Sequence, residues 1–142
     1  MDVLKPLRVF LEYDPPTCFE QIKQILNQSS RNISFTFVSP KRGRWQVPAL
    51  CAYGDVALFL ENGVRVTGDI SKLWSLARKE LAAVYVLPEE RASRHPTLML
   101  FRAKYCDRLT PEYIANASED ELAPAVWTGG PQNVGILEVS HA

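Results

Sequence analysis

Two histidines and three cysteines are the chain's natural candidates for nucleophilic or metal chemistry. A thiol nucleophile needs a base beside it, and the sequence offers Cys18 with either His95 or His141. Cys18 opens a predicted helix, where the dipole lowers a thiol's pKa. The competing reading is a small buried residue beside Phe19. His95 precedes Pro96 in a charged loop, and His141 is penultimate. The thiols Cys18, Cys51 and Cys106 are odd in number, widely spaced and without a CxxC pair. The spacing predicts reduced thiols rather than a disulfide framework, and no zinc site. The carboxylates Glu89 and Glu90, and Glu119 and Glu121, read as solvated acids. Gly129-Gly130 lacks the strand–loop–helix frame of a phosphate-binding loop. The sequence therefore predicts no catalytic residues, no metal and no cofactor.

The charges are more informative than the nucleophiles. The 142 residues carry 16 Lys and Arg against 16 Asp and Glu, a formal net charge of zero. That neutrality is a sum of opposites. Residues 21–54 hold Lys23, Arg31, Lys41, Arg42 and Arg44 and no acid, whereas 107–142 hold six acids against Arg108 alone. Charge placement governs association more than fold. The centre of the basic stretch is Lys41-Arg42-Gly43-Arg44-Trp45. Cations around a glycine can reach successive phosphates, and a tryptophan can stack on a base or enter a lipid interface. With Arg31, these residues form the expected anion-binding surface. A solvated surface with unevenly spread charge is the simpler alternative. The acidic segment with Glu119, Asp120 and Glu121, and Trp127 among small residues in a loop, form the expected interface. Packing of Trp127 on the sheet is the competing reading.

These features predict a non-enzymatic, self-assembling binding protein. It would be a homo-oligomer in a matrix-like or nucleoprotein-associated role, contacting RNA or an anionic membrane through the basic-aromatic loop. Two alternatives stay open: a ubiquitin-like or ferredoxin-like adaptor with a protein partner, and a cysteine-dependent enzyme. Nothing reads as a DNA sequence reader.

The elements that must position these residues follow from periodicity. Residues 7–13 alternate as a strand. Thr17 and Glu20 match a capping box, followed by Phe19, Ile22, Ile25 and Leu26 on a helix over about 18–28. Residues 33–38 read as a strand and 39–54 as an irregular loop. Asn62-Gly63 between DVALFLE and VRVT predicts a type I′ hairpin. Asp69 caps a helix with Ile70, Leu73, Trp74, Ala77 and Leu81 at helical spacing. Strands follow at 82–87 and 97–105. Thr110-Pro111-Glu112 starts a helix over 111–117, Ser118 and Glu121 match another capping box, and ILEV (136–139) is a last short strand.

The order predicts an α+β fold: a two-layer sandwich with a mixed, mostly antiparallel sheet and two to four helices, ferredoxin-like or β-grasp-like. One domain is expected, with a core at 7–87 and a C-terminal extension at 88–142 that packs on the core or forms an interface. The first residues lack a signal peptide's apolar core, and no run approaches a membrane span, so a cytoplasmic protein is expected.

Overall fold

A computed structural model describes residues 5–77 and 82–137. Leu81, Glu138 and His141, and the latter half of the strand expected at 136–139, lie outside the described residues. The strands are β1 (Leu7–Glu12), β2 (Ile33–Val38), β3 (Val56–Leu60), β4 (Val84–Val86), β5 (Leu98–Arg102) and β6 (Val134–Ile136). The helices are α1 (Thr17–Gln28), α2 (Val47–Leu50), α3 (Ser71–Ala77), α4 (Pro111–Asn116) and α5 (Pro124–Trp127). A 3₁₀ turn at Gly43–Gln46 leads directly into α2.

The strands form one six-stranded mixed sheet in the order β2-β1-β3-β5-β4-β6. The α+β class and the mixed sheet are as the element order predicts. β1 pairs in parallel with β2 and β3, and β4 in parallel with β6. β5 runs against both its neighbours, β3 and β4. Five strands thus point one way and β5 alone points back. The expected antiparallel majority is not found.

The hairpin at Asn62-Gly63 does not form, which removes both the ferredoxin-like and the β-grasp-like layout. β3 already has a partner on each side, β1 and β5, so no edge is left for 64–67. That segment lies along α1 instead. Gln21 Nε2 donates to the Glu61 and Val64 carbonyls at 2.8 and 2.9 Å, and Gln28 Nε2 to the Val66 carbonyl at 2.8 Å. The Val66 amide donates to Gln24 Oε1 at 2.9 Å. Three glutamines, three and four residues apart on one helical face, supply the hydrogen bonds that a paired strand would otherwise make.

The boundary at residue 87 separates nothing. β5, from the expected extension, lies inside the sheet between β3 and β4. Its run LMLF is buried throughout, as are VYV of β4 and ALFL of β3. Continuous apolar strands of this kind belong to a sheet covered on both faces. α1 and α3 pack on one face through Ile25, Leu73, Trp74 and Ala77, against Val9, Leu11, Leu58, Leu60 and Leu100. The other face is covered by 43–52 and 103–127, with Trp45, Val47, Leu109, Ile114 and Trp127 over Phe10, Phe59, Met99 and Phe101. The face that α1 buries is Cys18, Gln21 and Ile25; Phe19 and Leu26, expected on it, are exposed.

Candidate functional site at the carboxyl edge of the sheet

The chain runs from β1 through α1 to β2 on one side, then crosses back over the opposite face to β3 on the other side of β1. The connections therefore leave β1 and β3 in opposite directions. In an open sheet that divergence opens a crevice outside the carboxyl ends of the two strands. The residues there are Glu12 at the end of β1 and Asp14 beyond it, Glu61 and Asn62 after β3, and the 40–45 segment after β2. Because β5 is reversed, its leading residues His95 and Pro96 reach the same edge.

Arg44 is the centre of this edge and is 5 % exposed. Its Nη2 lies 2.9 Å from Glu61 Oε1 and 3.4 Å from Glu12 Oε2, and its Nη1 donates to the Pro96 carbonyl at 2.5 Å. The guanidinium also sits over the Phe59 ring, 5.1 Å from the centroid. Glu12 is nearly as buried and accepts the Asn62 amide at Oε1, 3.0 Å away. Asn62 Nδ2 donates in turn to Asp14 Oδ2 at 2.6 Å. A buried carboxylate is tolerated only when paired and hydrogen-bonded, and Glu12 has both. One guanidinium thus ties β1, β3 and the approach to β5 together at their functional ends.

Beside it lies an open cleft of about 390 Å³, lined by Pro40, Lys41, Arg42, Arg44, Trp45, His95 and Glu119. The 40–45 turn is built by close approach. Arg42 has φ +46°, a left-handed conformation that costs a non-glycine residue roughly 1–2 kcal/mol. A Cβ on Gly43 would stand 2.9 Å from Val38 Cβ, so only glycine lets the turn fold back on β2. The strained Arg42 is held by its own side chain. Nη1 donates to the Ile114 and Ala117 carbonyls at 2.6 and 2.9 Å, capping the end of α4, and Nη2 lies 3.4 Å from Glu119 Oε1. Glu119 Oε2 lies 3.3 Å from His95 Nε2, and Asp120 is 2.9 Å from Arg94.

Four of the five residues expected to bind an anion, Lys41, Arg42, Arg44 and Trp45, do line one cleft. Arg31 does not. It precedes β2, at the opposite edge, and donates to the Lys5 carbonyl at 2.9 Å. Trp45 is 1 % exposed and packs edge-on against Trp127, 6.3 Å between centroids; it is a wall of the cleft and offers no free stacking platform. Trp127, expected at an interface, is core, stacked on Phe101 at 6.4 Å. The expected interface acids meet partners inside the chain: Glu119 and Asp120 as above, and Glu121 with Ser118. The Ser118 amide donates to Glu121 Oε1 at 2.9 Å, and the Glu121 amide to Ser118 Oγ at 3.2 Å. The first of these bonds holds the Glu121 carboxyl below its usual range. Among the described residues the basic and acidic segments meet in one ion pair, Arg42 with Glu119.

The thiols take no part in the cleft. Cys18 is fully buried on α1, whereas His95 faces Glu119, so the pairing of Cys18 with His95 is not assembled; His141 lies outside the described residues. Cys51 and Cys106 are buried, and burial pushes both pKa values up. Glu12 and Glu61 were not singled out from the sequence, and Asn62 only as a turn residue. A signal for them exists: both parallel strands end an apolar run in Leu-Glu, VFLE and LFLE.

Compared by sequence, the chain matches no family model and no curated protein. Compared by structure, it resembles a solved glycosyltransferase, GlyE of Streptococcus pneumoniae TIGR4, with a TM-score of 0.51 at 16 % identity over 94 % of this chain. It also resembles the apo form of that enzyme, with a TM-score of 0.50 at 15 % identity. The chain spans 38 % and 37 % of those two chains. The adaptor alternative rested on ferredoxin-like and ubiquitin-like layouts that are not formed. The expectation of a non-enzymatic binder is overturned as well: the solved structures that share its fold are those of a glycosyltransferase. Among the described residues no helix is long and apolar enough to cross a membrane. What the comparisons show is a likeness of fold to a glycosyltransferase; the cation-lined cleft at the carboxyl edge of the sheet is seen in this structure.

Proposed function

We propose that this chain is a glycosyltransferase-type unit whose carboxyl-edge cleft holds the phosphate end of an activated sugar donor. The observation that carries this reading is the placement of Lys41, Arg42 and Arg44 with His95 around one open cleft, at the point where the connections of the sheet diverge. The likeness to a glycosyltransferase supports it.

The chemistry asks for what the cleft supplies. In glycosyl transfer an acceptor hydroxyl oxygen bonds to the anomeric carbon. The bond from that carbon to the donor's phosphate oxygen breaks, the phosphate leaves with the electron pair, and the hydroxyl proton passes to water. Negative charge grows on the leaving oxygen. Fixed cations aimed at that point stabilise the transition state more than the ground state. Lys41, with no ion pair among the described residues, faces the cleft for this role. Arg42 is pinned by two carbonyls and needs no reorganisation.

The test is release of nucleoside diphosphate from a panel of nucleoside diphosphate sugars, followed by chromatography with and without simple sugar acceptors. Release from at least one donor, reduced about tenfold or more by Lys41→Ala, is expected. Absence of both release and binding for every donor overturns the reading.

A further inference from the structure

We infer that Glu119 is a built-in competitor for the anion of this cleft: its carboxylate occupies the seat that a phosphate takes, and binding exchanges one for the other. The inference rests on the reading of the cleft as a phosphate seat and adds its regulation.

The geometry is that of an internal ligand. Glu119 lines the cleft, and its two oxygens face two different groups, Arg42 Nη2 at 3.4 Å and His95 Nε2 at 3.3 Å. Two oxygens of a phosphate would divide themselves between the same groups. The carboxylate is presented by a turn that is ordered independently, through the reciprocal Ser118–Glu121 hydrogen bonds and the Asp120–Arg94 pair. The seat does not depend on it. Arg42 keeps its bonds to the Ile114 and Ala117 carbonyls when Glu119 leaves. Lys41 adds a cation that Glu119 does not use. The Glu119 pairs are half exposed, and such pairs break at small cost. A diphosphate, which carries two negative charges in a sugar donor and more once released, therefore displaces a singly charged carboxylate.

Calorimetric titration of the whole chain with inorganic pyrophosphate tests this. Glu119→Gln is expected to bind about three- to tenfold more tightly than wild type. Glu112→Gln removes the same charge from the same acidic segment but outside the cleft lining, and is expected to leave affinity unchanged. Lys41→Ala should weaken binding in both the wild-type and Glu119→Gln backgrounds. Wild-type binding that falls with Lys41→Ala but does not rise with Glu119→Gln overturns the competitor and leaves the cleft reading standing. Equal gains from Glu119→Gln and Glu112→Gln reduce the effect to bulk charge and also overturn it. No pyrophosphate binding by wild type or Glu119→Gln overturns both readings.

Discussion

Arg44 and Glu12 form a buried ion pair between the crossover turn after β2 and the end of β1, with side chains only 6 % and 7 % exposed. Removing the guanidinium leaves Glu12 charged and without its cation in the interior. Arg44→Met is expected to cost about 3–5 kcal/mol in denaturant unfolding. The double variant Arg44→Met/Glu12→Gln should recover part of that loss, because the stranded charge is gone. Arg44→Lys should not restore the wild type, since an ammonium cannot reach Glu61, Glu12 and the Pro96 carbonyl together.

Gly43→Ala probes the turn that shapes the cleft. The new methyl group meets Val38 at its Cβ and at Cγ2, 2.9 and 3.1 Å away, and the Val38 backbone carbonyl carbon at 3.2 Å. Overpacking of this kind typically costs about 1–3 kcal/mol. Relief requires moving residues 42–45, so pyrophosphate affinity should fall along with the melting temperature.

Gln24→Ala breaks the hydrogen bond that the Val66 amide donates to α1. A single such bond is worth about 1 kcal/mol. Native-state hydrogen exchange should show the Val66 amide exchanging several-fold faster, with β3 amides unchanged. Equal acceleration of β3 would mean that 64–66 opens only with the sheet.

Two carboxylates, the half-buried Asp69 and the exposed Glu121, are held below their ordinary range by local hydrogen bonds. Asp69 is lowered chiefly by the Ser71 amide, which donates to Oδ1 at 3.0 Å. Glu121 is lowered chiefly by the Ser118 amide. A carboxylate with a depressed folded-state pKa contributes stability that is full above its unfolded value, about pH 4, and is lost as pH falls through its folded value. Melting temperature should therefore decline below about pH 4, and Asp69→Asn with Glu121→Gln should flatten that decline.

The thiols should be silent in the native state. Cys18, Cys51 and Cys106 are all buried, and Cys106 is further held by contacts of its Sγ with the Ala83 and Arg102 carbonyls at 3.3 Å. A disulfide reagent should label none of them before unfolding and all three after it. Rapid labelling of native Cys18 would restore interest in a thiol mechanism.

The strands were legible because their apolar runs are local facts: LRVFLE, ISFTFV, VALFL and LMLFR each announce themselves. So were the caps at Thr110, whose Oγ1 accepts the Tyr113 amide at 3.1 Å, and at Asp69. The capping box at Thr17 failed because the helix starts on Thr17 itself, with Pro16 as its cap. Glu20 pairs instead with Lys23 at 3.6 Å. Strand order was not legible, because β5 enters between β3 and β4 through pairings that no local pattern encodes. The same gap hid the site. Lys41, Arg42 and Arg44 were visible as a cluster, but Glu12, Glu61 and His95 join them only when the sheet is ordered. The acid-rich segment suggested a second molecule because sequence distance concealed that Glu119 returns to Arg42.

The reversed strand β5 also sets a timetable for biosynthesis. Until residues 98–102 have left the ribosome, β3 has one bare edge, and β4 can join the sheet only by pairing with β5. A nascent chain ending before that point presents an apolar edge open to mispairing. The last wall of the cleft, Glu119, comes later still. The emerging protein is thus most vulnerable to mispairing while the edge of β3 is bare, and the cleft is completed only after β5 has filled that edge and before β6 is made.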